Sequence, residues 1–116
     1  MAKTSPTARS LSKLRKEGWV AGVVEKWIPQ TKQRKDLFGF IDIVAVRGDV
    51  VMGVQATGGS GNGVKRLAKA VAQPEFSAWI RAGLFVVHEW NKQGAAGTRK
   101  LWKCRELTHE EIESEG

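Results

Sequence analysis

Two polar side chains lie inside otherwise apolar strand-like runs, and they restrict what this chain can fold into more than any other feature. Residues 36–57 read DLFGFIDIVAVRGDVVMGVQAT. Phe40–Val46 and Val50–Thr57 are rich in β-branched residues, as strands buried on at least one face are. Arg47-Gly48-Asp49 between them is a short polar turn of the hairpin kind. Asp42 falls in the middle of the first run and Gln55 near the end of the second. A carboxylate is almost never buried unless it is paired or holds a metal, and neighbouring antiparallel strands can bring two such groups to one spot. The plainer alternatives are an Asp42 that faces solvent and a Gln55 that is a core amide satisfied by backbone partners.

The rest of the chain sets the scale around that pair. Its 116 residues suffice for one compact domain. A hydrophobic fraction of 41% with five Trp argues against disorder. No apolar run reaches the roughly 20 residues needed to cross a bilayer, and residues 1–9 have no apolar segment behind them, so no secretory signal is expected. The single cysteine, Cys104, excludes an internal disulfide and a Cys-based zinc cluster. His88 and His109 lack ligand partners at useful spacing. A cytoplasmic location, in a bacterial, archaeal or phage-infected cell, and no membrane partner are the expectation.

Charge points to a partner. The net formal charge is +7, and Thr108–Gly116 holds four glutamates with no Lys or Arg, which leaves +11 on residues 1–107. Such an excess suits a polyanion such as nucleic acid, with the acidic tail shielding the surface. The bland reading is that the cations only keep a small protein soluble.

In chain order, residues 1–7 read as a flexible basic arm and Ala8–Glu17 as a helix with Leu11 and Leu14 on one face, ended by Gly18. Trp19–Ile28 reads as one strand, with Glu25 and Lys26 inside it and Pro29 ending it. Gln30–Lys35 reads as a polar loop carrying Lys32, Arg34 and Lys35. After the central hairpin, Gly58–Gly63 leads into a helix over Val64–Ala72, with Val64, Leu67, Ala68 and Val71 as its apolar stripe and Lys65, Arg66 and Lys69 elsewhere. Pro74 opens a further helical segment to Ala82, and Gly83 stops it. Leu84–Trp90 and Arg99–Leu107 read as strands. The core is 8–107, with 108–116 an acidic C-terminal tail.

The glycine loop invites a phosphate-binding reading. Gly58 and Gly63 have the spacing of a Walker A motif, but Val64-Lys65-Arg66 replaces the Lys-Ser/Thr that grips phosphate and magnesium. A loop that lets a DNA backbone approach, through Ser60, Asn62, Lys65, Arg66 and Lys69, fits better than a nucleotide site.

An acidic residue in one strand, then a polar residue in the next and another two positions on, resembles the PD-(D/E)XK nuclease superfamily. Asp42 matches the motif aspartate, and Gln55-Ala56-Thr57 stands where Glu-X-Lys would, a Gln-X-Thr variant. The spacing and element order resemble archaeal and phage-type Holliday junction resolvases over residues 8–107. The resemblance implies an α/β, restriction-endonuclease-like fold in one nuclease-like domain, with a mixed central β-sheet flanked by helices in the order αβββαββ. It also implies Mg²⁺ or Mn²⁺ as cofactor, branched DNA as substrate, a role in recombination or repair, and a homodimer.

On that reading Asp42 is the bridging carboxylate and Gln55 a weaker oxygen ligand, because Mg²⁺ prefers oxygen donors. Thr57 cannot supply the charge of the family lysine. Lys26 or Lys35 could replace it, and Glu25 and Asp36 could restore acidic ligands. Glu17 is the only counterpart in the first helix of a glutamate that many resolvase-like members carry there. Against this, Glu25 and Lys26 could be a surface pair, and Asp36 could simply start the Asp36–Gly39 turn. The five Trp read as core, except Trp27, which follows Glu25-Lys26 and is expected near DNA. Two functions lead, a metal-dependent endonuclease selective for DNA structure or a catalytically weakened DNA-binding module on the same fold, and a protein-binding role in a larger complex is the third.

Overall fold

The structure, a computed structural model, describes residues 4–94, 97 and 100–108. The elements run α1 (Pro6–Lys16), β1 (Val20–Val23), β2 (Lys26–Ile28), β3 (Gln33–Lys35), β4 (Ile43–Arg47), β5 (Val50–Gly58), α2 (Asn62–Val71), α3 (Phe76–Ala82), β6 (Leu84–Gln93) and β7 (Leu101–Leu107). The expected α/β class with a mixed central sheet flanked by helices holds. The order αβββαββ is corrected by an extra strand pair, β2–β3, whereas α3 is the further helical segment expected up to Ala82 and stopped at Gly83.

Helix α1 starts earlier than its apolar spacing suggests. Ser5 caps it by accepting the Ala8 N–H at 3.1 Å, and Pro6 occupies the first turn, where a missing N–H costs nothing. The helix therefore takes Pro6 and Thr7 out of the expected arm; Met1–Lys3 lie outside the described residues. Lys13, Arg15 and Lys16 crowd its last turn, where the helix dipole favours cations. Gly18, at φ +91°, turns the chain out of it.

The main sheet has strand order β1-β4-β5-β6-β7. Every pair is antiparallel except β5–β6, whose parallel pairing needs the crossover that α2 and α3 provide. Strand alternation splits the core into two layers. On one face Leu14 of α1 packs with Trp19, Ala21, Ile43, Ala45, Val54 and Val86. On the other, Leu67 and Ala70 of α2 and Phe76 of α3 pack with Phe40, Ile41, Phe85, Val87 and Leu107. The rings of Phe40, Phe76 and Phe85 meet at 5.4–5.7 Å between centroids, spacings at which tilted and edge contacts are favourable.

Three expectations change. Trp19–Ile28 is not one strand. Its first part pairs with β4, and its last ladder bond is Val24 N–H to the Asp42 carbonyl at 2.8 Å. The chain then leaves the sheet as the two-stranded β2–β3 hairpin, so the supposed loop Gln30–Lys35 contains a strand. Asp42 is not mid-strand either; it stands just before β4. Finally, the buried side of α2 is Gly63, Leu67 and Ala70, while Val64, Ala68 and Val71 are exposed. Gly63 fixes that rotation: a Cβ there would lie 2.4 Å from Leu107 Cδ1 and 2.7 Å from Glu89 Oε2, so only glycine lets the first turn of α2 come this close to the sheet. Residues 109–116, which hold the charges of the acidic tail, lie outside the described residues, as do 95–96 and 98–99 of the β6–β7 connection. No helix among the described residues is long and apolar enough to cross a membrane.

Candidate metal centre

Asp42 is fixed by its backbone before its side chain is considered. Its N–H donates to the Val54 carbonyl at 2.9 Å and its carbonyl accepts from Val24, which wedges it between the first and third strands of the β1-β4-β5 array. Its carboxylate is buried, 2% exposed. Oδ2 accepts from Gln55 Nε2 at 2.7 Å and from the Ala56 N–H at 3.0 Å. The convergence expected of Asp42 and Gln55 is therefore real, and neither plainer alternative holds: Asp42 does not face solvent, and the Gln55 amide is satisfied by a carboxylate.

Two more carboxylates join them. Glu25 leaves β1 immediately before β2, and Asp36 follows β3 immediately. They occupy the next rung below the Lys26–Lys35 pair, and oxygen atoms of Glu25, Asp36 and Asp42 all lie within 4.8 Å of one another. Asp36 also starts the expected turn, its carbonyl accepting the Gly39 N–H at 3.1 Å. Burial pushes the Asp42 carboxyl up to about 8, reinforced by a hydrogen bond with Asp36 and by the charges of Asp36 and Glu25, and opposed by the Ala56 N–H. Three carboxylates this close cannot all ionise comfortably unless cations offset them, and the Arg34 guanidinium, 2.7 Å from Glu25, meets only that one. Their hard oxygen donors are what Mg²⁺ or Mn²⁺ takes, so the residues present fit the expected ion.

The candidate cations distribute differently from expectation. Lys26 and Lys35 face each other across the hairpin, on the side opposite Glu25 and Asp36, because successive strand residues alternate. Arg34 lies on the carboxylate side instead, with Nη1 2.7 Å from Glu25 Oε1. Glu25 is thus ion-paired, but with Arg34 and not with its neighbour Lys26. Glu17 pairs with Lys13, and its carbonyl accepts from Arg47 at the far end of β4, about 16 Å along the strand from Asp42.

Thr57 shares the Gln55 face of β5 and is buried beside Glu89, its register partner on β6. Glu89 was not singled out from sequence. It is 2% exposed, and Oε2 accepts the Gly63 N–H at 2.7 Å at the positive end of α2, while Oε1 accepts Asn91 Nδ2 at 3.1 Å. Its signal was a carboxylate inside the apolar run FVVHEW. On the opposite face His88 is also buried. Its Nδ1 lies 2.8 Å from Ser10 Oγ, which accepts the Trp90 indole N–H at 2.9 Å, and its Nε2 stands 3.3 Å from Glu106 Oε1 without a hydrogen bond. Burial lowers the His88 pKa, so this group is a neutral strut between α1 and β6.

Of the residues expected to meet DNA, Lys32, Arg34 and Lys35 are exposed on the hairpin, and Ser60, Lys65, Arg66 and Lys69 are exposed on the glycine loop and α2. Asn62 instead closes that loop, donating from Nδ2 to the Gly58 carbonyl at 2.6 Å. Trp27 is 53% exposed, as expected, but Trp102 is exposed as well, at 41%. A comparison with protein-family models, curated proteins and solved structures finds no match to this chain.

Proposed function

We propose that this protein is a metal-dependent DNA endonuclease with a PD-(D/E)XK-like site, acting on branched DNA as a homodimer. The single observation that carries the reading is the Glu25–Asp36–Asp42 cluster, with its oxygens within 4.8 Å of one another and its buried member pushed up to about 8. Asp42, Asp36 and Glu25 would hold the Mg²⁺ or Mn²⁺, which would supply Lewis-acid polarisation of a phosphate and a lowered pKa for a bound water. Gln55 and the Ala56 N–H hold Asp42 in place through Oδ2. Arg34, with its side chain 70% exposed beside Glu25, meets the phosphate and fills part of the role that Thr57 cannot. Lys32, Lys35, Lys65, Arg66 and Lys69 neutralise the DNA backbone on either side. A chain this small favours shape over sequence readout, and two sites on one dimer would cut opposed strands of a branch.

The second reading, a catalytically weakened DNA-binding module, is favoured by one observation: Thr57 is buried against Glu89, so β5 offers no cation at the position of the family lysine. The deciding experiment is cleavage of labelled four-way junction, duplex, nicked and single-stranded DNA with Mg²⁺, Mn²⁺ or EDTA, comparing wild type with Asp42→Ala. Metal-dependent cutting lost in the variant supports the nuclease. Tight binding with no cutting under any metal leaves the binding module.

A further inference from the structure

We infer that Trp27 is a stacking platform for an unpaired base next to the phosphate at the carboxylate cluster, so that the substrate is DNA with a nucleotide displaced from the duplex stack. This rests on the nuclease reading and adds the feature of the substrate that the site selects.

Register carries the inference. In the β2–β3 hairpin Trp27 lies opposite Arg34. Alternation places Glu25, Trp27, Arg34 and Asp36 on one side of the ribbon, and the Glu25–Arg34 ion pair crosses that side diagonally at 2.7 Å. Trp27 thus stands one step outward, about 7 Å along the strand, from a member of the cluster. Its ring is also open. Among the described residues three aromatic side chains are strongly exposed: Phe38, Trp102 and Trp27. Phe38 packs on Trp79 at 6.5 Å, and Trp102 is covered by Arg9 at 4.0 Å and by Lys92 at 5.4 Å. Among the described residues Trp27 has neither an aromatic nor a cationic partner at its ring. An exposed indole beside an exposed arginine is the pairing that single-stranded nucleic acid uses, base on ring and backbone on cation. A base inside a duplex has both faces covered by its neighbours, so only an unpaired one can use Trp27.

The test uses the full chain with Ca²⁺ in place of Mg²⁺ and oligonucleotides carrying 2-aminopurine at the unpaired position beside a branch point, for wild type, Trp27→Ala and Trp27→Phe. The expected result is quenching of 2-aminopurine by wild type, partial quenching by Trp27→Phe, and none by Trp27→Ala. Trp27→Ala should also lose about tenfold in affinity for the branched DNA while duplex affinity stays unchanged. Equal quenching and an unchanged branched-to-duplex ratio in Trp27→Ala overturn the inference and leave the nuclease standing. Quenching that depends on Trp27, with no cutting in Mg²⁺ or Mn²⁺, upholds the inference and overturns catalysis. Absence of DNA binding by wild type overturns both. Trp27 is exposed, so circular dichroism of the variants should match wild type.

Discussion

Gln55 donates its side-chain N–H to Asp42 at 2.7 Å, so this neutral side chain holds the Asp42 carboxyl without adding charge to the cluster. Gln55→Glu would remove that donor and place a further carboxylate against Asp42. Without metal the variant should melt at a lower temperature than wild type at pH 8. With Mn²⁺ it should bind about tenfold or more tightly, because an added anionic ligand outweighs a lost hydrogen bond once the cation is present. Calorimetric titration with Mn²⁺, alongside melting in EDTA, reads both.

The elevated Asp42 carboxyl makes stability depend on pH in a definite direction. Its folded pKa, about 8, lies above its ordinary value of 3.8. The folded state therefore holds a proton that the unfolded chain releases. This contribution to stability is complete below about pH 4 and is lost as pH rises through 8. In EDTA the melting temperature of wild type should fall over that window relative to Asp42→Asn, which cannot titrate there. At pH 9 the variant should be the more stable of the two. Mn²⁺ should raise the wild-type melting temperature at pH 8 and leave Asp42→Asn nearly unmoved. Parallel pH curves for the two proteins would count against the crowded cluster.

Ser10 gives both His88 and Trp90 their buried partner. Ser10→Ala should leave two polar groups unmet and cost about 2–4 kcal/mol in urea unfolding, with the loosened contact lying between α1 and β6.

At Gly63 a methyl group would collide with Leu107 and Glu89. Gly63→Ala should cost about 1–3 kcal/mol by overpacking. Gly22→Ala, where an added Cβ meets nothing within 4 Å, should be near neutral and serves as the control in the same unfolding series.

Much of the central frame was legible because it rests on local patterns. The β4–β5 hairpin followed from two β-branched runs around a polar turn, and α2 from a glycine loop opening a helix. The meeting of Asp42 and Gln55 followed from their places on adjacent strands. What escaped depends on hydrogen bonding between distant segments. Nothing in VAGVVEKWI marks Val24 as the last residue bonded to the sheet, so β1 and β2 read as one strand. Whether Glu25 or Lys26 faced Asp42 was undecidable without that break, since a one-residue slip reverses every side chain. The stripe of α2 was misjudged because a glycine carried no apolar signal, and its burial is imposed by Leu107 and Glu89 from another strand. Glu89 itself was hidden because its partner, the Gly63 N–H, belongs to the backbone.

The β2–β3 hairpin carries two of the three cluster acids while belonging to no larger sheet. A lone two-stranded ribbon is marginal in water, and once Asp42 ionises, near pH 8, repulsion from Asp36 works against docking at its base. A cation shared among Glu25, Asp36 and Asp42 would clasp the ribbon to the sheet at its root. Occupancy of the site and local folding of the hairpin are then one equilibrium. The ion would act as a fastener before it acts as a reagent, and the amides of Lys26–Ile28 and Gln33–Lys35 should slow their hydrogen exchange on its arrival while those of β5 and β6 do not change.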